Sequence, residues 1–281
     1  MITAVLSGKG GTGKTLLSVN LAYVSEDPLY VDCDVEEPNG HIYLKPEETR
    51  TYEVTVRLPV VDHDVCDGCR KCVRSCNFNA LAYAAGKLVI FEQICHSCGG
   101  CILVCPRKAL SERDKAIGHI TMGISGNIRS LSGTMETGES SGVPIVKELQ
   151  KQIRISGPGN VFVDCPPGSA CIVMESIKDA DYCVLTAEPT IFGAHNLAMV
   201  HELVKLFGKK YGVVLNKCEG GSDPSEEYCM RNNIRIIGKI PFDPELGLIS
   251  SNGLVAAAEN ERYNKMFKDI LNEIKKDGAT S

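Results

Sequence analysis

The sequence predicts an α/β fold with a mostly parallel sheet, helices on both faces, and a small α+β domain inserted into it. Three observations lead there. Short apolar runs alternate with helical patterns along most of the 281 residues, which argues for parallel strands joined by crossover helices. A glycine-rich loop, Gly8-Lys9-Gly10-Gly11-Thr12-Gly13-Lys14-Thr15, joins the first such run to the first such helix. Eight of the fourteen cysteines fall in two regular runs between residues 62 and 112.

Ile2, Ala4, Val5 and Leu6 form the first strand, and Leu16, Leu17, Val19, Leu21 and Ala22 the apolar side of the helix after the loop. That context is the one a phosphate-binding loop requires. Gly8, Gly10, Gly11 and Gly13 let the loop's backbone N–H groups, Thr12 included, turn inward around phosphates. The helix N-terminus adds about half a positive charge. Lys14 is expected at the β/γ-phosphates and the Thr15 hydroxyl on Mg²⁺, so the ligand is a nucleoside triphosphate.

A second strand over 29–34 ends in Asp32 and Asp34. Alternation over 52–61 (Val54, Val56, Leu58) leads into the cysteine segment. Beyond it, residues 117–122 are short and apolar. Residues 125–142, rich in Gly, Ser and Thr, read as a polar loop, and 143–153 as a helix with Val146 and Leu149 on one side. Strands are expected at 161–164, 182–186, 212–215 and 234–240, with helices at 171–177, 194–206 and 224–232 between them. Tyr263, Met266, Phe267, Ile270, Leu271 and Ile274 make one stripe of a last helix. Strands flank the cysteine segment on both sides, so the expected division is 1–61 and 113–281 for the α/β domain and 62–112 for the insert.

Composition narrows the class. A net charge of −5 offers no electrostatic footprint for nucleic acid. No apolar run is long enough to span a membrane, and the N-terminus lacks a basic leader. The last helix offsets its lysines with Glu261, Asp269, Glu273 and Asp277, whereas a membrane-surface helix is basic. The expectation is a cytoplasmic protein without membrane insertion, its cysteines serving as metal ligands in a reducing compartment.

Cys66-x-x-Cys69-x-x-Cys72-x-x-x-Cys76 and Cys95-x-x-Cys98-x-x-Cys101-x-x-x-Cys105-Pro106 have the bacterial two-cluster ferredoxin spacing. In that pattern the fourth Cys of each run ligates the other cluster. One 4Fe–4S cluster is therefore expected on Cys66, Cys69, Cys72 and Cys105, the other on Cys95, Cys98, Cys101 and Cys76. Four-thiolate zinc sites use two pairs of cysteines instead. Residues 77–81 answer to residues 106–110, so the segment repeats internally, with Asn77 where the pattern has proline. His63 and His96 lie beside cysteines and read as surface residues.

Lys9 through Thr15, with Asn20-Leu21-Ala22 behind them, resemble the MinD/Mrp-like deviant phosphate-loop ATPases. These include septum-positioning and plasmid-partition ATPases, the nitrogenase iron protein and iron–sulfur scaffold ATPases, and some members carry an inserted two-cluster ferredoxin domain. The resemblance implies ATP and ADP with Mg²⁺ as ligands, and a homodimer formed on ATP binding. In that dimer Lys9 crosses to the partner's nucleotide as an arginine finger does. Asp164-Cys165-Pro166-Pro167-Gly168 is similar to the family's second switch, with Asp164 directed at Mg²⁺. Asp32 and Asp34 match the first: Asp34 orients the attacking water and Asp32 lies nearer the Mg²⁺ shell. Residues 213–217 resemble the adenine-side strand, which sets Asn216 on the adenine edge and Pro241 near the base. Cys171 stands where the nitrogenase iron protein has an intersubunit cluster ligand, but residues 125–142 offer no second cysteine. No glutaminase segment is present, unlike in the cobyrinate amidase relatives.

Two functions follow. One is an ATP-gated electron carrier serving a redox partner protein; the other is an assembly factor delivering clusters to an apo iron–sulfur acceptor. Closed, all-cysteine sites favour the first. A positioning ATPase ranks behind both for want of a basic tail.

Overall fold

The computed structural model describes residues 1–157, 159–221 and 223–279. The chain runs through β1 (Ile2–Leu6), α1 (Lys14–Tyr23), β2 (Pro28–Asp32), α2 (Gly40–Leu44) and β3 (Glu47–Val61). The cysteine segment follows, with α3 (Lys71–Ser75), β4 (Leu81–Ala84), β5 (Lys87–Ile90) and α4 (Gly100–Leu103). The chain returns through β6 (Leu110–Ser125), β7 (Ile128–Met135), α5 (Val143–Ile155), β8 (Asn160–Asp164), α6 (Cys171–Ile177) and β9 (Tyr182–Ala187). It ends with α7 (Ile191–Leu206), β10 (Lys210–Cys218), α8 (Pro224–Arg231), β11 (Ile236–Pro241), α9 (Pro244–Ser251), α10 (Ala256–Glu259) and α11 (Glu261–Ala279).

Among the described residues, nine strands form one sheet in the order β11-β10-β9-β1-β8-β2-β7-β6-β3. The pairings from β11 to β7 are parallel, and β6 and β3 add antiparallel strands at one edge. Buried parallel strands need apolar residues on both faces, and β1, β2, β8 and β9 have them. Leu197, Val200 and Val204 of α7 join α5 and α6 against one face, and Leu17 and Leu21 of α1 join Phe267 and Ile270 of α11 against the other. The stripe read in the last helix is thus spent on the sheet, and no helix among the described residues is long and apolar enough to cross a membrane.

Residues 125–142 do not form the expected polar loop. β7 lies inside the sheet between β2 and β6. Its composition misleads because Ser130, Ser132 and Thr134 alternate with Leu131 and Gly133, and only the latter two turn toward α5. A Cβ on Gly133 would come within 2.8 Å of Val35 and Ile145 side-chain carbons, so the helix packs where only glycine fits.

β3 and β6 also run longer than expected. β6 pairs with β7 only from Gly118 onward, while its pairing with β3 continues to Leu110 opposite Val61. The remainder is a two-stranded ribbon of roughly 23 Å at about 3.3 Å per residue. β6 is antiparallel to β7 and Gly118 faces Met135 at the carboxyl end of β7, so the ribbon rises from the sheet edge where the parallel strands end. Residues 62–109 sit at its tip, around a small core of Cys72, Leu81, Leu88 and Leu110.

Candidate functional site

The loop after β1 lies at that same carboxyl edge. Gly13 has φ 90°, and a Cβ there would overlap the Asn216 amide, so glycine is required twice over. Asn216 is buried at the end of β10. It donates from Nδ2 to the Thr12 carbonyl at 2.7 Å and accepts the Lys217 N–H on Oδ1 at 2.9 Å. It therefore ties the loop to the sheet, with one N–H and one lone pair of its amide still unassigned.

A cleft of about 650 Å³ opens over the loop, with Gly10, Lys14, Thr15, Asp34, Asn216 and Pro241 in its wall. Lys14, at the start of α1, is only 7% exposed and makes no hydrogen bond or ion pair among the described residues. Its charge acts on Asp34 and Asp164 across the site, and it faces a cleft at a helix N-terminus, where anions bind. The Thr12 hydroxyl and Asp164 Oδ1 are likewise buried without a partner.

Asp32 and Asp164 close adjacent parallel strands in direct register. Both are nearly inaccessible, and burial followed, for Asp32, by the charge of Asp164 raises their carboxyl pKa values above the usual range. Asp32 accepts N–H bonds from Gly40 at 2.9 Å and Asp34 at 3.1 Å, which pins the segment leading into α2. Asp164 Oδ2 accepts the buried Tyr30 hydroxyl at 2.9 Å. Asp34 is less enclosed; burial pushes it up to about 6 against the pull of Lys14. Two buried carboxylates side by side with an orphaned oxygen suit a divalent cation, and Thr15 lines the cleft beside Lys14.

Lys9 does not line the cleft. Its ammonium pairs with Glu188 Oε2 at 2.5 Å, and Glu188 Oε1 receives Lys217 Nζ at 2.6 Å. Sequence reasoning missed Glu188 and Tyr30. For Glu188 the available signal was a charge placed directly after the buried strand β9.

Cys66, Cys69, Cys72 and Cys105 surround one pocket, and Cys76, Cys95, Cys98 and Cys101 a second. The fourth thiol of each run accepts a backbone N–H in the same way, Cys76 from Ala80 at 3.4 Å and Cys105 from Ala109 at 3.3 Å. Left-handed backbone recurs at matching places: Gly68 and Ser97, Arg70 and Gly99, Asn79 and Lys108. Burial raises the Cys72 thiol, with Cys105 and Cys66 contributing, and pushes Cys101 up to about 11, with Cys95 and Cys98 contributing. Among the described residues, no three such side chains converge on a single metal ion. His96 stacks on Phe78 at 3.8 Å, and Cys171 is exposed at the start of α6.

A family model described as the CobQ/CobB/MinD/ParA nucleotide-binding domain matches residues 3–256. The fold is similar to the cell division ATPase MinD of Pyrococcus furiosus, with a TM-score of 0.61, 20% identity and 98% of each chain covered. It is also similar to the septum site-determining protein MinD of Pyrococcus horikoshii, complexed with Mg-ADP, at 0.60 and 19%, over 98% of this chain and 96% of that one. An uncharacterised protein of Methanocaldococcus jannaschii is 27% identical over 98% of this chain and 96% of its own length. A ferredoxin of Pyrobaculum islandicum is 36% identical over 58 residues, 20% of this chain and 54% of the ferredoxin.

Proposed function

The chain belongs to the CobQ/CobB/MinD/ParA nucleotide-binding domain family, and from that premise we propose that it is an ATP-hydrolysing iron–sulfur protein whose nucleotide-gated dimer controls electron transfer to a redox partner. Residues 62–112 form the ferredoxin-type module in this reading, and 1–61 with 113–281 the ATPase.

The observation that carries the proposal is the position of the two thiol rings. They stand at the tip of a ribbon rising from the edge that bears the phosphate loop. Lys14 would supply the charge that phosphates need, Thr15 and Asp32 would hold Mg²⁺ with Asp164 beside them, and Asp34 would orient the attacking water. Asn216 shapes the loop and Pro241 borders the base. Lys9 completes the partner's site in trans, and Ile191 and Phe192 at the start of α7 are exposed apolar residues (79% and 76%). Cys66, Cys69, Cys72 and Cys105 would hold one 4Fe–4S cluster and Cys76, Cys95, Cys98 and Cys101 the other. Such clusters supply one-electron chemistry at potentials set by burial and hydrogen bonds to sulfur. The N–H bonds to Cys76 and Cys105 are two of those bonds in this chain.

Anaerobic reconstitution followed by iron and acid-labile sulfide analysis tests this. About eight irons per chain are expected for two clusters, together with Mg-dependent ATP turnover. Zinc uptake in place of iron, or no turnover, overturns it.

A further inference from the structure

We propose that Glu188 is a positioning residue that holds Lys9 in cis and sets how readily the lysine is released to the partner's nucleotide. The inference rests on the trans-lysine reading above. Glu188 follows β9 and its side chain is 12% exposed, against 39% for Lys9. Its two carboxylate oxygens each take one ammonium, Lys9 at 2.5 Å and Lys217 at 2.6 Å. Lys217 in turn donates to the Gly11 carbonyl at 3.0 Å, so the same carboxylate grips the phosphate loop through both cations.

The carboxylate sits on a fixed post. The Glu188 carbonyl accepts Ser225 Oγ at 2.6 Å and the Thr190 N–H at 2.8 Å. The loop does not need the Lys9 pair for its shape, because the Ser7 hydroxyl already holds the Lys9 carbonyl at 2.6 Å. What the pair does restrain is the direction of the Lys9 ammonium, and a lysine held by Glu188 is unavailable to a second chain. Binding of the partner's nucleotide and binding to Glu188 are then alternatives for one side chain.

The test measures ATP-dependent dimerisation of the full reconstituted chain by sedimentation at saturating Mg-ATP. Glu188→Gln keeps the shape and removes the charge. It should tighten the dimer about fivefold, the equivalent of about 1 kcal/mol at 1.4 kcal/mol per tenfold, as for a partly exposed ion pair. Lys217→Met leaves Glu188 to Lys9 alone and should weaken the dimer. A purely structural carboxylate would move both variants in the same direction. If Lys9→Ala loses the dimer but Glu188→Gln does not tighten it, the restraint is refuted and the trans-lysine reading stands. If Lys9→Ala leaves the dimer intact, that reading fails and this inference with it.

Discussion

Replacing Asp164 by Asn separates the burial of a carboxylate from its use. Asp32 and Asp164 face each other in register, both buried, and each is raised above the ordinary carboxylate range mainly by burial. Without a cation, ionising both costs stability. Removing one of the two charges relieves the repulsion that Asp164 exerts on Asp32. Asn keeps an acceptor for the Tyr30 hydroxyl that Asp164 Oδ2 now accepts. The nucleotide-free variant should therefore melt higher than the natural chain, by roughly 2–4 °C per kcal/mol. With Mg-ATP the order should reverse. At a hundredfold excess over Kd, binding adds about 2.7 kcal/mol, roughly 5–10 °C for the natural chain. The variant should forfeit most of the part that depends on Mg²⁺. Thermal melts of both proteins, with Mg-ATP, with ATP and chelator, and without nucleotide, read all of these. An Asn variant that melts lower without ligand and keeps the full Mg²⁺-dependent gain would mean that Asp164 neither strains the empty site nor serves the cation.

Two further outcomes follow from the same geometry. Cys105→Ala and Cys76→Ala should each lower reconstituted iron from about eight to about four per chain, with Cys105→Ala sparing the cluster on Cys95, Cys98 and Cys101; loss of the same cluster in both variants would contradict the crossed assignment. His201 is buried between the Tyr228 and Tyr211 hydroxyls, each 2.9 Å away, and burial lowers its imidazole pKa from 6.5. A depressed histidine favours the fold while neutral, so that stabilisation is present above about pH 6.5 and is lost as pH falls. The urea midpoint of the natural chain should drop between about pH 7.5 and 5.5 by more than that of His201→Gln, and parallel slopes would count against this.

The phosphate loop and the cysteine runs were legible because their chemistry is local: fixed spacings on a short stretch of chain set both. The parallel strands were legible because β1, β2, β8 and β9 each carry a short run of mostly apolar residues. β7 was not, since Gly133 is dictated by Val35 and Ile145, which arrive from other elements, and its serines mimic a loop. The ribbon escaped notice because its outer half has one partner strand and little reason to be apolar. Glu188 and Lys217 are ordinary surface charges in sequence; only the fold brings them to Lys9 and Gly11. The amide of Asn216 looked like a base reader, and the structure engages it first with the Thr12 carbonyl.

The most direct test of the nucleotide-gated carrier is a redox titration of the anaerobically reconstituted protein, followed by EPR with Mg-ATP, with Mg-ADP and without nucleotide. Reversible reduction of both clusters is expected, with a midpoint potential that differs between the Mg-ATP and nucleotide-free forms and iron content unchanged throughout. Identical potentials in all three states would contradict gating. Transfer of the iron to an apo acceptor on ATP addition would contradict the carrier itself and leave cluster delivery in its place.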